Sequence, residues 1–199
     1  MLDAACGLAV PIPFRDADDV EELGSAAFLK VERSESGAAY LGALLLINAR
    51  GEPLEFTYNR VDLPRTFLWR EADLRRHAER TLTASLLTLA AGAPRLLLAR
   101  ADEVGSELFS LDIEVAIPVG RIGRPAELSA TAEREGLEIV DAPEPVHVFW
   151  YPGPPEDASP ERRLFARLRG HKLLLEPFER ALIGLHEAYA GEVGEEFWT

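Results

Sequence analysis

Leu41-Gly-Ala-Leu-Leu-Leu-Ile47 carries no polar side chain at either parity. Successive residues of a strand point to opposite faces, so a strand with one wetted face alternates and a strand covered on both faces does not. The run therefore predicts a strand inside a sheet with a layer on each side. Asn48-Ala-Arg-Gly51 tolerates left-handed backbone, and the alternating Pro53-Leu-Glu-Phe-Thr-Tyr58 after it completes a β-hairpin whose second strand has one polar face. Ahead of the run, Ala27-Phe-Leu-Lys-Val-Glu-Arg33 sets Phe28, Lys30 and Glu32 against Leu29 and Val31, the period of a further strand.

Working outward, Leu74, Ala78, Leu82, Leu86 and Leu89 recur at three and four residues and predict an amphipathic helix over Arg70–Ala90, stopped by Gly92 and Pro94. Arg95–Ala99 then reads as a buried strand, Asp102–Phe109 as a helical turn, and Leu111–Ile117 as a strand placing Asp112 and Glu114 on one face. Gly120-Arg-Ile-Gly123 matches the four-residue loop of KH RNA-binding domains, but a strand and Pro118 precede it where a helix should, so it reads as a connector. A helix over Pro125–Glu135 and strands at Leu137–Val140 and Val146–Tyr151 complete a core over residues 25–151. The proline-rich stretch 152–159 reads as a connector, residues 1–24 as an arm, and 160–199 as a helical pair with an aromatic tail, packed on the core. The fold class is α/β, or α+β, with a mixed sheet of about six or seven strands.

The chain has 34 Asp+Glu against 21 Lys+Arg, a formal charge of −13. That balance repels a phosphate backbone at long range and makes nucleic acid an unexpected partner for the isolated chain. The single cysteine, Cys6, cannot close an intramolecular disulfide, which suits a reducing, cytoplasmic setting. No apolar run approaches the ~20 residues that cross a bilayer, so the chain is expected to be soluble.

Hard divalent cations take carboxylate oxygens, and strand ends can deliver several to one place. Asp102, Glu103, Asp112 and Glu114 are the candidates for such a site, with Asp112 and Glu114 as metal ligands and Mg or Mn as the ion. No Glu-x-Lys step, phosphate-binding glycine loop, GxSxG serine or zinc-spaced His/Cys set accompanies them. Arg75, Arg76 and Arg80 form a candidate anion-facing patch on the long helix, largely neutralised by neighbouring acids.

Over residues 27–118 the order of hairpin, helix and strands resembles small α/β adaptor domains of the longin or roadblock type, a likeness of element order without a motif. With Phe178, Leu182, Leu185, Tyr189, Phe197 and Trp198 as an interaction surface, it leads to the expectation of a non-enzymatic accessory subunit. That subunit would capture a protein partner or self-associate as an oligomer, and no cofactor is expected for it. Removing residues 160–199 should then leave the sheet folded. The alternatives are a metal-dependent, nuclease-like hydrolase using the carboxylates, and an accessory protein of a nucleic-acid machine.

Overall fold

β2 (Ala39–Asn48) is the strand that Leu41–Ile47 announces, and it has a neighbour on each side. β1 (Ser25–Arg33) pairs with it antiparallel from Ser25↔Asn48 to Arg33↔Tyr40, and β3 (Pro53–Asp62) pairs antiparallel on its other side as the sheet edge. The hairpin loop is fastened by Asn48, whose side-chain oxygen accepts from the backbone of Arg50 (2.9 Å) and Glu52 (3.0 Å), while Gly51 takes φ +86°, where a Cβ would be strained. This computed structural model describes residues 21–64, 68–123, 137–140 and 146–195. The greater part of the arm, the helix expected over Pro125–Glu135, and Phe197 and Trp198 lie outside the described residues.

α1 (Glu71–Leu89) crosses back over β2 and β3 and delivers the chain to β4 (Leu96–Arg100), parallel to β1. β5 (Val119–Gly123) continues parallel to β4, and β7 (Val146–Tyr151) and β6 (Leu137–Val140) finish the sheet antiparallel. The order β3-β2-β1-β4-β5-β7-β6 makes a seven-stranded mixed sheet.

Both faces are covered. Ala78, Leu82 and Leu86 of α1, with Leu108 and Phe109, pack on Ala27, Leu29, Leu44, Leu97 and Val119. The other layer is α2 (Pro160–Gly170) and α3 (Glu176–Glu195). Leu164, Phe165, Leu168 and Phe178 meet Ala26, Phe28, Leu98 and Trp150 there, with edge-to-face contacts between Phe28 and Phe178 (5.2 Å) and between Trp150 and Phe165 (4.8 Å). α2 starts where expected: Ser159 accepts from the Arg162 amide at 3.1 Å and Pro160 opens the helix.

Two expectations fail. Leu111–Ile117 is no strand: residues 108–112 make one π-type turn, closed by the Ile113 amide on Leu108, and an irregular segment follows. Both ladder positions beside β4 are filled, by β1 and β5, so the segment instead lays Ile113, Val115 and Ile117 along the rim of the α1 layer. Asp112 and Glu114 therefore share no sheet face. Gly120–Gly123, expected as a connector, is strand β5, buried throughout.

Candidate active site

β1, β4 and β5 run parallel, and the chain leaves β1 for the β2 side and β4 for the β5 side. Where strand order reverses in this way, the carboxyl ends of the strands splay their connections apart and leave a crevice. At that place lie Lys30 and Glu32 near the end of β1, Arg100 at the end of β4, and the loop 101–105 that follows it. Lys30 and Glu32 share the parity of Ala26 and Phe28, so they stand on the α3 side, where Glu32 meets His186 of α3 at 2.7 Å.

The loop is fixed from both sides. Arg121 of β5, only 4% exposed, donates to the carbonyl of Val104 (2.7 Å) and to that of Ala101 (3.2 Å). From α1, Arg75 donates to the carbonyls of Asp102 (3.2 Å) and Glu103 (3.1 Å), and the buried Glu79 accepts from the Gly105 amide (2.9 Å). Arg75 and Glu79 also pair with each other at 2.5 Å.

Glu103 is thereby presented to β1. Its carboxylate accepts from the Lys30 ammonium at 2.5 Å and from the Val31 amide at 3.2 Å. Burial pushes the Glu103 carboxyl up, and the Lys30 contact only partly offsets it. Asp102 beside it goes the other way: burial raises it, but the Arg100 guanidinium at 3.1 Å, with help from Lys30, brings the net below the usual carboxylate range.

The four candidate acids thus divide into two pairs. Asp102 and Glu103 sit on the strand-end loop. Asp112 is held by Arg76 in a two-pronged contact (2.8 and 2.8 Å), which lowers its carboxyl, and Glu114 is exposed on the segment beyond. Among the described residues no three His, Cys, Asp or Glu side chains are grouped to hold a metal ion. Of the anion-facing patch, Arg75 turns into the loop, Arg76 is occupied by Asp112 and Glu107, and Arg80 is exposed. A cleft of about 690 Å³ opens at the opposite end of the strands, beside Arg95, Pro118, Pro152 and Glu161. It gathers prolines and one loose ion pair of 3.7 Å rather than a set of reactive groups.

Sequence reasoning passed over Lys30, Glu79 and Arg121. Lys30 had a signal, being one of only two lysines in a chain rich in arginine. Glu79 reads from the sequence as one of the charged residues lying away from the apolar stripe, and it is buried instead, drawn in by Arg75 and the Gly105 amide.

The surface proposed from the C-terminal helices is used internally. Phe178 and Leu185 are buried, Leu182 is half-buried, and Tyr189 packs edge-on against Tyr58 of β3 at 5.6 Å.

No protein-family model and no curated protein matches the chain. Solved structures do share its fold. The catalytic domain of human Endonuclease V superposes with a TM-score of 0.57 at 13% identity, covering 86% of this chain and 84% of that one. Endonuclease V from Bacillus subtilis gives 0.53 at 11%, covering 85% and 81%, and that from Streptomyces avermitilis 0.53 at 14%, covering 85% and 83%. The element order that resembles adaptor domains is here carried by a sheet matching these nucleases across more than four fifths of the chain. The expectation of a non-enzymatic accessory subunit, built for protein–protein interaction and oligomerisation, is overturned on this finding. Its physical ground fails as well, because the helix face assigned to a partner closes the chain's own core. At these identities the likeness is one of fold: this chain has the layered α/β fold of the Endonuclease V nucleases.

Proposed function

We propose that the chain is a nucleic-acid-processing enzyme that hydrolyses phosphodiester bonds at the strand-end loop. The observation that carries this reading is the fold shared with the catalytic domain of human Endonuclease V over 86% of the chain. The loop supports it in detail. Lys30 and Arg100 bring positive charge to the loop, each paired with one of its acids, and Arg75 and Arg121 hold the loop backbone. In this reading Glu103, whose carboxyl burial raises, takes a proton from an attacking water.

The net charge of −13 weakens long-range attraction to nucleic acid but leaves this local set of cations in place. Binding is therefore short-range and salt-sensitive. Among the described residues no helix is long and apolar enough to cross a membrane. The lone cysteine supports a cytoplasmic setting.

The test incubates end-labelled single- and double-stranded DNA and RNA with the full chain at low ionic strength, in Mg²⁺, in Mn²⁺ and in EDTA. Internal cleavage that falls about a hundredfold or more in Glu103→Gln is the expected result, in line with loss of a general base. Intact substrates in every condition would overturn the reading.

A further inference from the structure

A phosphoester site built from carboxylates needs a cation among them, because the acids would otherwise repel the phosphate. The strand-end loop brings two carboxylates to one place, Asp102 and Glu103, and a cation is already between β1 and the loop. Lys30 reaches Glu103 at 2.5 Å, and its charge also acts on Asp102. The pair is shielded, with 12% of the Lys30 side chain and 15% of the Glu103 side chain exposed. The Val31 amide takes the other Glu103 oxygen, and Arg100 takes both oxygens of Asp102, at 3.1 and 3.2 Å. A divalent ion bound here would have to displace an ammonium, a guanidinium and an amide, and among the described residues no third acid stands ready to complete its shell.

We infer that Lys30 is the resident cation of this site, taking the place a divalent metal would need, so that the loop engages phosphate without a metal ion. The inference rests on the proposed hydrolase reading for the identity of the ligand, but not for the identity of the cation. The Lys30 stem rises from the paired part of β1, next to Leu29, which pairs with Leu44 of β2 and Ala99 of β4, so the ammonium starts from a fixed backbone position beside the loop. The ammonium is thus already seated on the carboxylate that a metal would have to take. Deleting the ammonium while keeping its stem should free one oxygen of Glu103 and remove the positive charge that acts on both acids.

Manganese titration of the full chain, followed by the paramagnetic resonance of free Mn²⁺, tests this independently of any cleavage. The wild type should show no saturable site tighter than about 10⁻³ M, the weak end of oxygen-ligated sites. Lys30→Met should gain one site at least about tenfold tighter, and the double variant Lys30→Met/Glu103→Gln should lose it. Lys30→Arg, which keeps the charge, should stay without one. A wild-type site abolished by Glu103→Gln would overturn the inference, as would a folded Lys30→Met that gains nothing. Should Lys30→Met not fold, the wild-type and Glu103→Gln titrations decide alone. A second arm measures binding of a short oligonucleotide in EDTA and in Mg²⁺. Equal affinity in both, lowered about tenfold or more by Lys30→Met, is expected, and binding that requires Mg²⁺ would sink the idea. If no cleavage is ever found, the hydrolase reading falls while the manganese titration still settles the role of Lys30.

Discussion

A guanidinium that is 4% exposed, as Arg121 is, stays in a protein interior only if its donors are satisfied, since stranding a buried charge costs several kcal/mol. Arg121 meets that condition by donating to two backbone carbonyls of one loop, those of Ala101 and Val104. The carbonyls gain as much as the arginine does, because a loop that turns away from a strand end leaves its backbone acceptors without ladder partners. The residue thus converts an irregular stretch into a fixed platform for Glu103. Arg121→Met keeps the stem and its packing but removes every donor. It should lower the unfolding free energy by about 2–4 kcal/mol, read as a shift of the urea midpoint at constant slope. The Lys30–Glu103 contact should loosen with it, so cleavage should fall further than the remaining folded fraction explains. An unchanged midpoint would show that Arg75 and Glu79 hold the loop without help.

At the scale of elements, β6 and β7 lie at the far edge of the sheet and are fastened to α2 by one acid. Glu138 of β6 accepts from the Trp150 indole of β7 at 3.0 Å and from Arg162 of α2 at 2.6 and 3.0 Å. Burial alone would raise its carboxyl, but Arg162 and the indole together outweigh burial and leave it lowered. An acid lowered on folding contributes stability that is full above its unfolded value, about 4.3 for Glu, and is lost as pH falls through the lower folded value. The wild type should therefore lose stability from about pH 4.5 downward. Glu138→Gln should be less stable at neutral pH and show a flatter loss over the same range, measured as urea midpoints from pH 7 to 3. Equal slopes would show that other acids carry the dependence. Elements as local as this one were partly legible from the chain. The strands and helices around β2, α1, α2 and α3 follow from period and capping signals that need no partner. β5 was not legible, because Gly120-Arg-Ile-Gly123 has neither alternation nor β-branched residues beyond Ile122. What makes it a strand is tertiary: a Cβ on Gly120 would lie 2.8 Å from Leu98 and 3.0 Å from Trp150, so the backbone fits close between neighbours that only the folded sheet supplies. Leu111–Ile117 failed for the converse reason, since perfect alternation makes a strand only where a ladder has a vacant side.

For the whole molecule, the decisive question is what covers the second face of β2. Leu41–Ile47 requires a layer on each side, and residue patterns alone leave open whether the second layer is the C-terminal helices or another subunit. Topology answers it: α2 and α3 return to the face opposite α1 and bury Leu164, Phe165, Leu168, Leu174, Phe178 and Leu185. The carboxylate site shows the same limit of legibility, because Asp102 and Glu103 are adjacent in the chain while their partners Lys30 and Arg121 come from strands on either side of β4. Six large apolar side chains at about 1.5–3 kcal/mol each amount to something on the order of 10 kcal/mol of gross burial. That rivals the entire net stability of an ordinary domain, about 5–15 kcal/mol. Core and C-terminal helices should therefore fold as one cooperative unit, contrary to the expectation that the sheet survives without residues 160–199. A chain ending at residue 159 would expose Phe28, Leu98, Ile122 and Trp150 to water together. It should lose its near-ultraviolet dichroism and its cooperative urea transition, and bind a hydrophobic dye that the full chain does not. A truncated chain that keeps a sharp transition would instead make residues 25–151 an autonomous domain, with the helices an addition to it.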